Sequence, residues 1–131
     1  MADKIAFDLV SPEKLLLSGL ADMVTVPGTE GYMGVMAGHA ATITTLRAGM
    51  IDVSSDGKDD RYFIRGGFAE INATKITVLA DEAIPMSELD LAVLDQRIAD
   101  AAEDEIAAKT DSERQRAGQY LEDLKLVRAA F

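Results

Sequence analysis

The side chains of this chain that could carry out chemistry are few, and they stand apart in the sequence. The single histidine, His39, lies in a glycine-rich segment, where we expect a structural or contact role more than a catalytic one. The serines Ser11, Ser18 and Ser87 lack the G-x-S-x-G setting of a hydrolase nucleophile. The chain has no cysteine, which excludes thiol catalysis, disulfide bonds and cysteine metal sites. A site with several histidine ligands is excluded as well.

A group of glycines and two pairs of carboxylates are the remaining candidates. Gly28, Gly31, Gly34 and Gly38 do not fit G-x-G-x-x-G, and no Gly-Lys-Ser or Gly-Lys-Thr follows them, so no nucleotide-binding loop is predicted. The pairs at 59–60 and 81–82 border predicted turns, where a solvated carboxylate is more frequent than an acid–base pair. The EF-hand pattern that would indicate calcium is absent. We therefore predict no catalytic site, no metal, no bound nucleotide and no cofactor.

The composition excludes several classes of partner. The 131 residues carry a net charge of −10, which disfavours binding to nucleic acid or to anionic lipid. Acidic residues exceed basic ones on both sides of residue 87, so the expected partner is a protein with a basic patch. The longest apolar runs, such as 15–17, are too short for insertion into a membrane. Aromatic residues make up 5% and there is no tryptophan, which disfavours a β-sandwich that binds small ligands by stacking.

Residues 1–86 have the pattern of short β-strands. In the first segment, Ile5, Phe7 and Leu9 alternate with more polar residues, which is typical of a half-buried strand. The polar stretch 54–60 contains Asp56–Gly57, a hairpin turn signal. Short strands at regular spacing, separated by glycine-rich turns, predict a sandwich or a barrel. The predicted strands cover residues 4–10, 13–17, 22–26, 41–46, 49–53, 61–65, 68–72 and 75–79.

Residues 87–131 have the pattern of two amphipathic helices. No proline and one glycine occur after residue 86, and alanine is frequent, so helix propensity is high. We predict N-caps at Ser87 and Thr110, each with an acidic residue three positions later. The stripes are narrow, so the hairpin must pack on the sandwich or on a partner. The expected stripes are Leu91, Leu94, Ile98, Ala102 and Ile106, and then Tyr120, Leu124, Val127 and Phe131.

One segment of the chain resembles a family signature. Residues 26–40 fit V-x-G-x-E-G-x-x-G-x-x-x-G-H-A, the signature of the epsilon subunit of F-type ATP synthases. The similarity continues through residues 45–51, 66–71 and 75–81, in order and with matching spacing. The resemblance therefore covers the whole β-rich part of the chain.

The resemblance implies a fold and a role. The expected fold is a ten-strand antiparallel β-sandwich over residues 1–86, followed by an antiparallel two-helix hairpin over residues 87–131. The expected role is a non-catalytic rotor subunit in the central stalk, which binds gamma and the ring of c subunits while the alpha and beta subunits perform catalysis. The expected location is peripheral, on the cytoplasmic face of a bacterial inner membrane, because no organellar transit segment is recognised.

The resemblance also assigns contact residues to positions that match. Glu30 is expected to meet a basic side chain of the c ring; the alternative is that its carboxylate is only solvated. Tyr32 stands where some family members carry an acidic residue. The implied c-ring contacts are Glu30, Gly31, Tyr32, Met33 and His39, and the implied gamma contacts are Phe68, Ala69 and Glu70.

The helical hairpin departs from the family. Some members have an [I/L]-D-x-x-R-A motif that binds ATP, but here Val93–Leu94 replaces Arg-Ala. A regulator that responds to ATP is therefore the less favoured alternative. In several relatives the helices inhibit ATP hydrolysis through basic residues that meet the catalytic head. Because the hairpin here is acidic overall, we expect weak or no inhibition. The arginines that could serve are Arg97, Arg114, Arg116 and Arg128.

Overall fold

Alternating apolar and polar residues build a ten-strand sheet in the first part of the chain. The computed structural model describes residues 3–130 and divides into two compact units that meet in sequence between Met86 and Ser87. The strands of the first unit are β1 (Ile5–Val10), β2 (Leu15–Ala21), β3 (Met23–Gly28), β4 (Gly31–Val35), β5 (Thr42–Leu46), β6 (Gly49–Ser55), β7 (Lys58–Ile64), β8 (Gly67–Ile71), β9 (Lys75–Ala80) and β10 (Ala83–Pro85).

The sheet folds over at β3. The strand order is β10-β7-β6-β3-β5-β8-β9-β1-β2, with β4 paired to β3. The first three residues of β3 pair with β6, whereas its last residue, Gly28, pairs with Leu46 of β5. The two halves enclose an apolar core whose largest fully buried side chains include Phe7, Phe63 and Ile51. The predicted β-sandwich is confirmed in this form.

One pair of strands departs from the expected antiparallel arrangement. β1 runs parallel to β9, while every other pairing is antiparallel. A short turn forces antiparallel pairing only on strands that follow each other in sequence. β1 and β9 are separated by seven strands, so no turn fixes their relative direction.

The predicted strands omit β4 and β10, whereas the predicted turn at Asp56–Gly57 is confirmed. Gly31 and Gly34 are poor strand formers, which explains why the sequence pattern does not predict β4. The polar stretch 54–60 is mostly strand: β6 runs to Ser55 and β7 begins at Lys58. Only Asp56 and Gly57 form the turn, with φ of 51° and 78°, as a two-residue turn of this type requires.

The second unit contains two helices, α1 (Leu91–Ala107) and α2 (Asp111–Ala129), which pack against each other. The prediction that Ser87 is the first N-cap is wrong, because residues 86–88 form a short 3₁₀ helix and the Asp90 carboxylate caps α1 by accepting from the Val93 amide at 2.8 Å. The predicted cap at Thr110 is confirmed, since its hydroxyl accepts from the Glu113 amide at 3.1 Å. Neither helix is long and apolar enough to cross a membrane, as far as residues 3–130 show.

The predicted apolar stripes are only partly correct. Leu94, Leu124 and Val127 are buried, but Leu91 is exposed and Ile106 is 85% exposed. On α1, Ala101 is buried rather than Ala102, which moves the stripe toward one side of the helix. Phe131 lies outside the described residues.

Candidate partner-binding site

A tight hairpin between β3 and β4 exposes Glu30, the glutamate of the family signature. Gly28 pairs with Gly31 across the hairpin, and Thr29 and Glu30 form an exposed two-residue turn. Gly31 has a φ of +135°, which only glycine adopts without strain. Among residues 3–130, no hydrogen bond or ion pair engages the Glu30 carboxylate. The turn therefore offers a negative group to a partner.

The neighbouring connection between β5 and β6 holds this turn in place. The Arg47 amide donates to the Pro27 carbonyl at 2.8 Å. Nη1 of the same arginine donates to the Thr29 carbonyl at 3.4 Å. The backbone of the turn is thus bonded on both sides of Gly28.

Tyr32 turns its hydroxyl back onto the protein. The Met50 amide donates to Tyr32 Oη at 3.0 Å, although the residue as a whole is 56% exposed. Gly49 leaves the space for this arrangement, since a Cβ there would lie 2.7 Å from Tyr32 Oη and 2.9 Å from Pro27 Cβ. Met33 is half-buried against the sandwich core. Of the expected c-ring contacts, Glu30, Gly31 and Tyr32 are therefore exposed together.

The structure does not bring His39 to this turn. β4 leads away from Glu30, and the segment after it is bonded to the β8–β9 turn, where the Gly38 amide donates to the Ala73 carbonyl at 2.7 Å. The length of β4 alone separates the two regions by about 13 Å. His39 donates from Nδ1 to its neighbour's carbonyl, that of Ala40, at 2.7 Å. His39 and Glu30 therefore lie at opposite ends of the sandwich.

The expected gamma contacts divide between the two faces of β8. Phe68 and Glu70 point outward and are exposed, whereas Ala69 is fully buried in the core. Ala69 cannot touch a partner, which corrects the expectation for that residue. The reason is strand geometry, because successive side chains point to opposite faces.

Phe68 belongs to an apolar row that the sequence interpretation missed. Cross-strand pairing aligns Phe68 with Leu79, then Leu79 with Val10, and Val10 with Leu15. Leu15 is 56% exposed, and Ile43 on β5, opposite Glu70, is 75% exposed. The signal was available at Ile43, which is an apolar residue at an outward position of an alternating strand.

Ion pairs on the outer face are local and exposed. The Ser18 hydroxyl donates to Asp8 at 2.6 Å, and Lys75 lies 2.9 Å from the same carboxylate. These two contacts, the Ser18 bond first, lower the pKa of Asp8. Lys4 bridges Asp22 and Asp56 at 2.8 and 2.9 Å; the Asp22 and Asp56 hydrogen bonds raise the pKa of Lys4. Both clusters fasten strands together and leave Glu30 untouched.

The four arginines of the hairpin are spread along it. Arg128 lies 2.9 Å from Asp95 across the two helices, and Arg114 lies 3.0 Å from Asp111 within α2. Arg97 donates to the Tyr120 hydroxyl at 3.5 Å. Arg116 lies farther along, in an open groove with Glu105 and Gly118. The structure therefore does not assemble these arginines into one basic patch.

Comparisons with known proteins give the chain its family. Residues 4–86 match the family described as ATP synthase, Delta/Epsilon chain, beta-sandwich domain. The chain is 51% identical to the ATP synthase epsilon chain of Parvibaculum lavamentivorans over 98% of each chain. It is 46% identical to the ATP synthase epsilon chain of Maricaulis maris, over 98% of this chain and 97% of that one.

A solved structure agrees with the sequence relatives. The chain superposes with a TM-score of 0.80 on a chain of the cryo-EM structure of the Euglena gracilis mitochondrial ATP synthase, OSCP/F1/c-ring in rotational state 1. The two are 29% identical, and the superposition covers 97% of this chain and 81% of the other. The matched sandwich and the full-length relatives confirm the resemblance, and the chain belongs to the epsilon chains of F-type ATP synthases, non-catalytic subunits of the central stalk.

Proposed function

We propose that this chain couples proton flow to ATP synthesis as a rotor subunit, by joining the c ring to the gamma subunit. Its relatives carry the epsilon name over nearly their full length, and the similar Euglena chain comes from an assembly that contains F1 and the c ring. Within this chain, the observation that carries the proposal is the exposed Glu30 carboxylate, which has no partner among residues 3–130.

The end of the sandwich that carries Glu30 is the proposed c-ring surface. A carboxylate with no internal partner gains most from an arginine or lysine of the partner, because charge-assisted hydrogen bonds are the stronger ones. The exposed backbone of Gly31 and the ring of Tyr32 lie beside it. His39 lies at the other end of the sandwich, so the proposed contact does not include it.

The outer face of β8 is the proposed gamma surface. Phe68 and Ile43 are exposed apolar side chains on adjacent strands, and Glu70 beside them adds a charge at the edge. Exposed apolar groups that align across several strands are typical of protein interfaces. Ala69 supports this face from inside the core.

Charge reversal at Glu30 tests the c-ring contact. Glu30→Lys in the full chain, bound to gamma, should weaken association with detergent-solubilised c ring by about tenfold, because like charges would then face each other. Asp60→Lys is the matched control, since Asp60 is also exposed but lies on β7 near the Asp56–Gly57 turn. Equal affinity of the Glu30 variant and the unchanged chain would contradict the contact.

For the hairpin we propose weak or no inhibition of ATP hydrolysis by the alpha/beta head, and no ATP binding. Arg114 and Arg128 already pair with carboxylates of the hairpin itself, which lowers their availability to an acidic partner. The Asp90 carboxylate is engaged as the N-cap of α1. Val93 and Leu94 follow it where the ATP motif has Arg-Ala.

The proposed location rests on the complex to which the family belongs. The epsilon chain is a peripheral part of a membrane-associated complex, and its curated relatives above come from bacteria. We place this chain on the cytoplasmic face of a bacterial inner membrane. Fractionation that recovers it with the membrane, and its release by removal of the catalytic head and stalk, would support that location; recovery in the periplasm would contradict it.

A further inference from the structure

The hydroxyl of Tyr32 fills a gap in the sheet beside the Glu30 turn. β3 pairs with β6 as far as Thr25 and Asp52, and the same register continued by two residues would place Pro27 opposite Met50. The ladder stops before that point, because the Pro27 carbonyl accepts from Arg47 instead. The Met50 amide therefore does not donate to the Pro27 carbonyl. It donates to Tyr32 Oη instead, at 3.0 Å.

Two side chains and one glycine therefore hold the turn that carries Glu30. We call Tyr32, Arg47 and Gly49 the turn clamp. Tyr32 fastens the β4 side of the hairpin to β6, and Arg47 fastens the β3 side and the Thr29 carbonyl. Gly49 provides the room, because any Cβ would displace the Tyr32 hydroxyl and Pro27.

The clamp matters because it adds to the β3–β4 pairing in holding the turn that carries Glu30. Thr29 and Glu30 are exposed, and the Glu30 carboxylate has no partner among residues 3–130. A mobile turn would have to be ordered when it binds, and that ordering weakens association. A turn that is already held presents its carboxylate at one place, which favours binding to a cationic side chain of fixed position.

We propose that the turn clamp makes Tyr32 a positioning residue for Glu30, acting through a hydroxyl that faces its own backbone and does not touch the partner. The inference rests on the proposed function, in which Glu30 meets a basic group of the c ring. It assigns to Tyr32 a role other than the c-ring contact that the resemblance implies. It also explains why glycine is required at position 49, where no positive φ calls for it.

A double-mutant cycle with Glu30 tests the inference. The variants are Glu30→Gln, Tyr32→Phe and the two combined, each in the full chain bound to gamma, with affinity measured for detergent-solubilised c ring. Tyr32→Phe removes the acceptor that holds the turn and should weaken binding by up to about fivefold, the limit set by one internal hydrogen bond. In the Glu30→Gln background the same change should have little further effect, because no charge remains to be positioned.

The outcomes separate the inference from the proposed function. If Glu30→Gln binds as tightly as the unchanged chain, the Glu30 contact itself fails, and the inference fails with it. If Glu30→Gln weakens binding while Tyr32→Phe has no effect, or has the same effect in both backgrounds, the contact stands and the positioning role is overturned. Coupled losses support both.

Two further variants separate positioning from general damage to the fold. Gly49→Ala keeps the Tyr32 hydroxyl but displaces it, and its binding loss should depend on Glu30 in the same way. Tyr120→Phe removes a hydroxyl from α2, where it bonds Arg97, and should leave c-ring binding unchanged. Hydrogen exchange at the Met50 amide should be faster in Tyr32→Phe; unchanged protection would show that the hydroxyl does not hold the turn and would overturn the inference.

Discussion

Replacing Gly67 by alanine should destabilise the sandwich strongly, because two separate costs fall on this residue. Its φ of +142° lies in a region that L side chains rarely adopt. A Cβ would also overlap the Leu79 carbonyl oxygen and lie 2.9 Å from Cα of Ala80. These atoms are backbone of the paired strand β9. Gly67 pairs with Leu46 on its other side, so β8 cannot shift away without breaking a second ladder.

The two costs give the size of the effect. Backbone strain of this kind costs about 1–3 kcal/mol, and overpacking against a fixed neighbour costs about 1–3 kcal/mol. The free energy of unfolding should therefore fall by about 2–6 kcal/mol. In a unit of this size each kcal/mol lowers Tm by about 4–8 °C. Gly67→Ala should lower Tm by about 8 °C or more.

Two other glycines supply matched controls in the same assay, thermal and urea unfolding of the full chain followed by circular dichroism. Gly57 has a φ of +78° but no atom within 4 Å of a Cβ, so Gly57→Ala should show strain alone, about 1 kcal/mol. Gly19 has neither feature, so Gly19→Ala should change little. If Gly67→Ala is no less stable than Gly57→Ala, the close approach of β8 and β9 is not what requires glycine.

Three further predictions concern acid stability, the hairpin and inhibition. The hydrogen bond from the Ser18 hydroxyl is the first cause of the lowered pKa of Asp8. The contribution of this carboxylate to the free energy of unfolding is therefore complete above its ordinary pKa of 3.8 and is lost as the pH falls through the lowered pKa. Asp8→Asn should make the free energy of unfolding in urea fall less steeply at acid pH, and an unchanged fall would contradict this. Leu94→Asp places a charge at a fully buried position and should reduce helix content by circular dichroism, whereas Leu91→Asp at an exposed position should not; equal spectra would refute the packing. A chain that ends at Met86 should leave the ATPase rate of the assembled head unchanged, and a several-fold rise would show that the hairpin inhibits.

Much of the fold was predictable because strands such as β1 and β9 alternate strictly between buried and outward residues. Ile5, Phe7 and Leu9 are all buried, as their spacing predicted. β4 could not be predicted from propensity, because its glycines disfavour a strand and its place in the sheet depends on pairing with β3 and on the burial of Val35. The parallel pairing of β1 with β9 depends on contacts between distant residues, which no local pattern contains.

The site was predictable in its residues but not in its arrangement. The signature singled out Glu30 and His39 together, yet β4 carries them to opposite ends of the sandwich. The sequence pattern does not reveal this separation, because Gly31 and Gly34 disfavour the strand that lies between the two residues. The direction of the Tyr32 hydroxyl depends on Met50, which is distant in sequence and contributes a backbone amide. The presence of a tyrosine at position 32 does not indicate that its hydroxyl accepts from a distant backbone amide.

The measurement that tests the central claim most directly is association of the full chain with the gamma subunit of its own enzyme, followed by gel filtration of the mixture. A stalk subunit with an exposed apolar row at Phe68 should elute with gamma as a single stable complex. Phe68→Asp should weaken that complex, whereas Leu20→Asp, at another exposed position on β2, should not. Separate elution of the unchanged chain and gamma would contradict the account.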